Sequence, residues 1–488
     1  MTTLCCSSSH TDEDLHCRLQ QLQSRFTWDL KKEDFELDDL SRQLQHDIDL
    51  QLGQPGAVAH SYSFLAYVRC LQDKPEEALS LLNQSEQKIK ECYGDDSERR
   101  LIVTYGDLAW LKYHTGDHTQ SQSYCQRVED ILLKHPADSS TVLHPEVYGE
   151  KAWTFLKFSK SYYPKAMECF CRALELQPDD CEFNSGYAIA LYRTEPYVLK
   201  LCDEESPAIK QLRRALEISP DDGVLMSMLA LKLLYYQKYR EADGLVEKAL
   251  EIGPDDTQIL RYVAKYLQKQ KQVDWAIDLL KKTLKNNSQS AFIHYRLGLC
   301  YNKKKTDLFS RTPRPDRAEQ QHWRRLSIKH MEEAIRLKST LNSTKAELAL
   351  LYAEDHDLTR AQQLFKNALE KLEEESESIC QIIYRCYAEF CHYHSFQEDL
   401  AITYYKKVLE FRYNTSVRKF CVKKLKKIAE RRLNRNPRDA AAYGLLGAVA
   451  KEEGSIRRAV AYYEKALEGE GDNDEYLSAL FELRLELQ

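Results

Sequence analysis

Ala230-LKLLYYQKYRE-Ala242-DGL-Val246-EK-Ala249-LEIG-Pro254 is the stretch that decides the fold. It sets a small residue, eleven others, Ala, three others, a large apolar residue, two others, Ala, and Pro five later. Its second half recurs at Ala166, Phe170, Ala173 and Pro178, at Ala208, Leu212, Ala215 and Pro220, and at Ala361, Phe365 and Ala368. A further copy reads Gly447, Ala459, Tyr463 and Ala466, and weaker copies centre on Ala78, Ala276 and Ala401. Small residues let two antiparallel helices approach closely, the large apolar residue fills the gap between neighbouring pairs, and Pro stops the second helix. This is the tetratricopeptide spacing. One helix pair cannot bury its apolar face alone, so the pairs must stack. The expected fold is an all-α, superhelical tetratricopeptide-repeat solenoid that curves into a clamp with a central basic groove.

Composition agrees. Only 16 Gly and 13 Pro in 488 residues leave few turns for a sheet-rich protein, and 43% hydrophobic with 30% charged residues fits a folded chain rather than a disordered one. No run of 18 uncharged apolar residues occurs, and residues 1–13 lack the apolar core of a secretory signal, so a cytoplasmic protein without membrane contact is expected. The cysteines, such as Cys169, Cys171 and Cys300, fall within helical patterns and read as reduced core filler. The densest group, Cys380, Cys386, Cys391, His392 and His394, matches no paired-ligand spacing of a structural zinc site. A net charge of −6 argues against a uniformly basic nucleic-acid binder, but it does not say how charge is distributed.

Organisation along the chain is read as a flexible N-terminus over 1–25, a docking segment over 26–55, one array over 56–290 and a second over 291–488. The docking segment has helical apolar spacing at Leu37, Leu40, Leu44 and Ile48 without the repeat signature. Arg193 to Ser206 and Thr306 to Arg317 are read as loop insertions, the latter carrying Arg-Thr-Pro-Arg-Pro. Residues 412–438 form a basic helix in which Lys423, Lys424, Lys426, Lys427, Arg431 and Arg432 have few acidic neighbours in sequence.

Catalysis has no visible foothold. The chain holds no P-loop, glycine-rich dinucleotide turn, nucleophile elbow or His-Glu-x-x-His, so no enzyme is expected. What remains is a set of cations and aromatics on first helices. Gln258, Arg261, Lys265 and Gln268 recur at three- and four-residue spacing on one face, beside Tyr262, and the next first helix offers Phe292, Tyr295, Arg296 and then Lys303, Lys304 and Lys305. Aromatics beside cations suit single-stranded nucleic acid, whose bases stack while its phosphates pair with Arg or Lys. Trp153 with Lys157 and Ile189 with Arg193 repeat the pairing of an apolar residue and a cation one turn apart. Read alone, each of these is equally a solvated helix face or a core aromatic.

The segments Phe26-Thr27-Trp28, Leu65-Ala66-Tyr67-Val68, Gly186-Tyr187-Ala188-Ile189, Tyr192-Arg193, Leu229-Ala230-Leu231-Lys232-Leu233, Gly298-Leu299-Cys300-Tyr301 and Glu482-Leu483-Arg484-Leu485 follow one another in a familiar order. With them the chain, from about Phe26 to its end, resembles the interferon-induced proteins with tetratricopeptide repeats, the IFIT family. The resemblance implies an interferon-induced, cytoplasmic antiviral protein that sequesters viral single-stranded RNA by a 5′-triphosphate or incompletely methylated cap and blocks its translation. It implies Lys157 and Arg193 as phosphate-binding cations, Tyr163 and Arg261 as tunnel residues, and Trp153 with Ile189 as a cap-proximal pair. Gln43, Tyr262, Lys265, Tyr295 and Arg296 complete the expected RNA contacts. No cofactor is implied beyond a Mg2+ ion accompanying the bound triphosphate. No DNA is expected, and Tyr463 with Leu467 matches a Tyr-x-x-x-Leu element that some members use to associate with themselves or with relatives.

The departures from the family pattern are equally specific. Asp47 stands where the family has a phosphate-proximal Gln, and Asp222 and Val224 stand where some relatives have Asn and Tyr near the cap. Gln258 replaces a Tyr, Gln268 a basic residue, and Arg296 takes the place of a Gln. An RNA-end sensor is the leading expectation; a protein–protein adaptor of the same fold, without 5′-end selectivity, is the alternative.

Overall fold

The computed structural model describes residues 7–31, 37–49, 55–136, 143–195, 204–286, 289–311, 316–411 and 415–486, and the described secondary structure is helical. The chain divides into two compact units, the first made mainly of residues up to 254 and the second mainly of residues from 255 onward. The first holds α1 (Ser7–Gln21), α2 (Leu37–Asp49), α3 (Pro55–Leu71), α4 (Pro75–Tyr93), α5 (Ser97–Arg100), α6 (Ile102–His114), α7 (His118–Lys134), α8 (Pro145–Phe158), α9 (Tyr163–Leu176), α10 (Cys181–Thr194), α11 (Pro207–Ile218), α12 (Gly223–Leu233) and α13 (Tyr239–Ile252). The second holds α14 (Thr257–Lys269), α15 (Val273–Asn286), α16 (Ala291–Arg311), α17 (Arg317–Leu337), α18 (Asn342–Glu354), α19 (Leu358–Glu370), α20 (Glu377–Tyr393), α21 (Glu398–Leu409), α22 (Ser416–Arg435), α23 (Ala440–Glu452), α24 (Ile456–Gly469) and α25 (Asp474–Glu486).

Pairing follows the repeat. In the first unit α3 packs on α4, α6 on α7, α8 on α9, α10 on α11 and α12 on α13; in the second, α14 on α15, α16 on α17, α18 on α19, α20 on α21 and α23 on α24. The chain is thus an all-α tetratricopeptide solenoid. The repeat residues do what their sizes predict: Ala166, Phe170 and Ala173, and again Ala361, Phe365 and Ala368, are wholly buried. Gly186 in α10 shows why a small residue is needed, because a Cβ there would lie 2.3 Å from Phe170 Cζ. Second helices start on caps or Pro: the Asp117 side chain accepts from Gln120 N–H, and Pro207 follows the Ser206 cap.

Three expectations are corrected. The N-terminal segment read as flexible carries α1, whose Leu15 and Leu19 are buried and whose Arg18 bonds Glu129 of α7 at 2.7 Å. Residues 306–311, read as loop, continue α16 to Arg311, and Arg317 opens α17; residues 312–315 lie outside the described chain. Of the other insertion, Arg193 and Thr194 end α10 and Ser206 caps α11, while residues 196–203 lie outside it. The docking segment forms α2, packed on α3 through buried Leu40, Leu44 and Ile48. No helix among the described residues is long and apolar enough to cross a membrane.

Candidate nucleic-acid interface

In the first unit, first helices α8 and α10 run side by side and end near one another. The last turn of a helix exposes carbonyls and a partial negative charge, so cations settle there. Lys157 occupies the last turn of α8 and Arg193 that of α10. The Arg193 guanidinium donates to the Leu156 carbonyl at 3.1 Å and lies 6.0 Å from the centre of the Tyr163 ring, so one cation ties both helix ends to the start of α9. Arg193 is exposed and Tyr163 half-buried.

Lys157 sits deeper. Its ammonium donates to Ser61 Oγ at 2.7 Å and lies 3.8 Å from the Asp47 carboxylate of α2, with 16% of its side chain exposed. Burial pulls the ammonium below the usual lysine range; Asp47 offsets part of this, and the neighbouring Arg193 adds to the depression. Gln43, one turn before Asp47 on α2, is exposed. At this helix, then, Asp47 is the side chain that meets Lys157.

One turn before Lys157, Trp153 packs edge-on against Phe170 at 5.4 Å between ring centres, and its indole N–H is buried without a partner. Ile189, from α10, is half-buried against the same core. Beneath these groups runs a buried ionic network that the sequence did not announce. Arg25 pairs with Asp107 at 2.5 Å and with Glu150, while His60 pairs with Glu150 and, at 2.7 Å, with Glu182. Arg100, at 3.2 Å, and the Tyr93 hydroxyl, at 3.1 Å, also bond Glu182.

In the second unit α14 supplies Arg261, Tyr262 and Lys265 and α16 supplies Phe292, Tyr295 and Arg296. The Arg261 guanidinium stands 4.7 Å from the centre of the Phe292 ring and 5.2 Å from that of Tyr262; Arg296 stands 5.0 Å from Phe292 and 5.5 Å from Tyr295. Phe292 therefore carries two guanidinium groups. The Nε atom of each is buried without a hydrogen-bond partner, although Arg296 also donates to Gln268 at 3.3 Å. Ring faces hold these cations by cation–π attraction, which leaves much of their N–H capacity uncommitted. Tyr262 is buried, Lys265 half-buried and Tyr295 half-buried. Behind Tyr295 burial raises the Glu347 carboxyl, with Arg385, 3.9 Å away, opposing the shift.

Several other cations singled out by sequence are already paired. Lys303 pairs with Asp307 at 2.5 Å, Lys304 with Asp274 and Lys305 with Glu354, so the lysine run ending the α16 motif is neutralised. On α22, Arg431 and Arg432 pair with Glu398, Arg432 also with Asp399 at 2.6 Å, Arg418 with Glu452 and Lys426 with Glu453 at 3.5 Å. Of the six cations read on this helix, Lys426, Arg431 and Arg432 thus have acidic partners, while Lys424 donates to the Tyr393 hydroxyl at 2.8 Å. Asp222 caps α12, accepting from the Val224 and Leu225 amides at 3.0 Å. Tyr463 is buried against Gly447 and Tyr476 in the terminal core. Among the described residues no group of three or more His, Cys, Asp or Glu side chains is assembled to hold a metal ion.

Comparison with known proteins adds context to this geometry. Tetratricopeptide repeat profiles match residues 57–134 and 440–469. The chain is 31% identical over 466 residues to the human antiviral innate immune response effector IFIT1, covering 94% of this chain and 97% of that protein. It is 30% identical to the mouse interferon-induced protein with tetratricopeptide repeats 2, over 93% of this chain and 94% of that one. Among solved structures, the human IFIT1 dimer with PPP-AAAA is similar at 31% identity and a TM-score of 0.77, covering 94% of this chain and all of the other. A monomeric IFIT1 mutant with Gppp-AAAA is similar at 30% identity and a TM-score of 0.81, over 93% of this chain and 99% of the other.

Proposed function

We propose, from the premise that the chain belongs to the interferon-induced proteins with tetratricopeptide repeats, that it is an antiviral RNA-binding protein which holds single-stranded RNA by its 5′ end. It acts by binding, without a covalent step, in the cytoplasm, and withholds the captured RNA from translation. Lys157 and Arg193 take the 5′ phosphates, with Tyr163 beside them; Trp153 and Ile189 flank a cap; Arg261, Arg296, Lys265, Tyr262 and Tyr295 hold phosphates and bases on the second unit; Gln43 adds a polar contact from α2. Self-association, as in the human IFIT1 dimer, would use half-buried Leu467 rather than the buried Tyr463.

The observation that carries this reading is where cations lack carboxylate partners. Arg193 rests on a carbonyl and Arg261 on ring faces, and Arg296 rests on an amide oxygen and ring faces with the buried Glu347 nearby, whereas arginines such as Arg213, Arg418 and Arg432 sit directly on carboxylates. An arriving phosphate can bond such groups without first displacing an acid, and a base can stack on the same aromatic surface.

One short RNA carrying a 5′-triphosphate, a 5′-cap or a 5′-hydroxyl, titrated by fluorescence anisotropy at near-physiological salt, tests the proposal. A preference of at least about tenfold for triphosphate or cap, equal to about 1.4 kcal/mol, is expected. Arg193→Glu should weaken triphosphate-RNA binding by about tenfold or more, since it replaces charge-assisted bonds with repulsion. Equal binding of the three ends would instead favour the adaptor reading.

A further inference from the structure

Lys157 is the deepest cation of the first-unit site, and it already faces an anion. Its ammonium has three N–H donors; Ser61 Oγ takes one at 2.7 Å, and the Asp47 carboxylate lies 3.8 Å away, with 16% and 22% of the two side chains exposed. Asp47 is therefore neither a solvated surface acid nor part of the Arg25–His60–Glu150–Glu182 network; it lies on α2, where it meets the cation expected to hold a phosphate. The groups acting on the Lys157 ammonium are Asp47, Arg193 and, less strongly, Glu150 and Glu182. Arg193 is the one other cation among them. A phosphate bound on Lys157 would share a partly desolvated site with a carboxylate, and like charges at close quarters in such a place disfavour the complex strongly.

We propose that Asp47 is a specificity-determining residue: its carboxylate occupies an anion position on Lys157 and so attenuates, without reversing, the preference for the most highly charged 5′ ends. Asp47 acts as a tethered counter-ion that a phosphate must push aside. Because repulsion grows with the charge brought in, the penalty is largest for a 5′-triphosphate, smaller for a 5′-monophosphate and absent for a 5′-hydroxyl. This deepens the 5′-end reading and rests on it. A different arrangement, in which Asp47 and the phosphates share a divalent cation, predicts the opposite sign, since removing the carboxylate would then weaken binding whenever Mg2+ is present.

The test compares the wild-type chain with Asp47→Asn, Asp47→Gln, Lys157→Met and the Asp47→Asn/Lys157→Met double variant. One RNA sequence bearing 5′-triphosphate, 5′-monophosphate or 5′-hydroxyl is titrated with Mg2+ and with a chelator. Asp47→Asn and Asp47→Gln should each tighten triphosphate-RNA binding by about tenfold and monophosphate-RNA binding by less, and leave hydroxyl-RNA within about twofold. The gain should vanish in the Lys157→Met background, as a coupled pair requires. Thermal melting of both Asp47 variants establishes that they are folded, and two different replacements keep the test independent of either one. Unchanged triphosphate affinity, an equal gain for all three ends, or a Mg2+-dependent loss would each overturn the assignment. If Arg193→Glu abolishes an end preference that Asp47→Asn leaves unaltered, only this inference falls. If neither wild type nor Asp47→Asn distinguishes the three ends, the 5′-end reading falls with it.

Discussion

His60 makes the stability of the first unit fall with rising pH in a range where an ordinary histidine would be silent. The ring lies between Glu150 of α8 and Glu182 of α10, with 12% of its side chain exposed, and Glu150 is shared with Arg25. Burial alone would depress its pKa, but the two carboxylates outweigh burial and raise it from 6.5 to about 9. Between these limits the folded protein holds a proton that the unfolded chain has released. Stability from this group is thus complete below about pH 6.5 and is lost as pH rises through about 9. At about 1.4 kcal/mol per tenfold change in proton affinity, the interval corresponds to about 3 kcal/mol. The assay is urea unfolding at pH 6.5 and pH 9.5, in a Trp275→Phe/Trp323→Phe background that leaves Trp28, Trp110 and Trp153 of the first unit as reporters. In this background the first unit should lose about 3 kcal/mol between the two pH values, and His60→Gln should remove that loss while lowering stability at pH 6.5. A parallel decline with and without His60→Gln would show that other groups titrate and that the buried network does not hold its proton.

Gly186→Ala should destabilise the first unit by about 1–3 kcal/mol, because the new methyl meets Phe170 at 2.3 Å and Trp153 at 3.0 Å. Since Trp153 must shift, capped RNA should lose more affinity than triphosphate RNA, and Phe170→Leu should restore part of the melting temperature. Arg296→Leu keeps apolar contact with Phe292 but deletes one of its two cations, so RNA affinity should fall about threefold to thirtyfold, and the slope of log affinity against log salt should drop by about one. An unchanged salt slope would place the RNA phosphates away from α16.

The repeat was legible because its constraint is local and recurs: Ala166, Phe170 and Ala173 must be small, large and small for α9 to pack, and so must Ala361, Phe365 and Ala368 for α19. Boundaries were less legible. Pro313 and Pro315 suggested a loop, yet a proline restricts itself and the residue before it, so nothing prevented α16 from running to Arg311. The polar start of the chain hid α1, whose described buried residues include Leu15 and Leu19, with buried Leu22 just beyond its end. Charge was the least legible feature. Lys304, Arg431 and Arg432 looked unopposed because their acids, Asp274, Glu398 and Asp399, lie about 30 residues away in sequence and arrive by packing. His60 and Glu182, 122 residues apart, form a pair that no local spacing could announce. For Lys157 and Arg193, the one-turn spacing from Trp153 and Ile189 marked a cation beside an apolar residue, and the family resemblance supplied the phosphate-binding role.

How each cation is held bears on its chemistry. An arginine on a carboxylate is already neutralised, and a phosphate gains little by competing for it; an arginine on a ring face keeps its charge and most of its donors while its position is fixed. Arg261 and Arg296 share Phe292 in this way, so the second unit offers fixed positive charge together with a flat apolar surface, which are the two things an unpaired nucleotide presents needs for. Arg193 is fixed by a helix-terminal carbonyl, which orients the guanidinium without neutralising it. Lys157 differs in having a carboxylate 3.8 Å away. Affinity for RNA in general should therefore follow Arg261 and Arg296, whereas discrimination among 5′ ends should follow Arg193, Lys157 and Asp47, and the two sets of substitutions should separate in salt dependence and end preference.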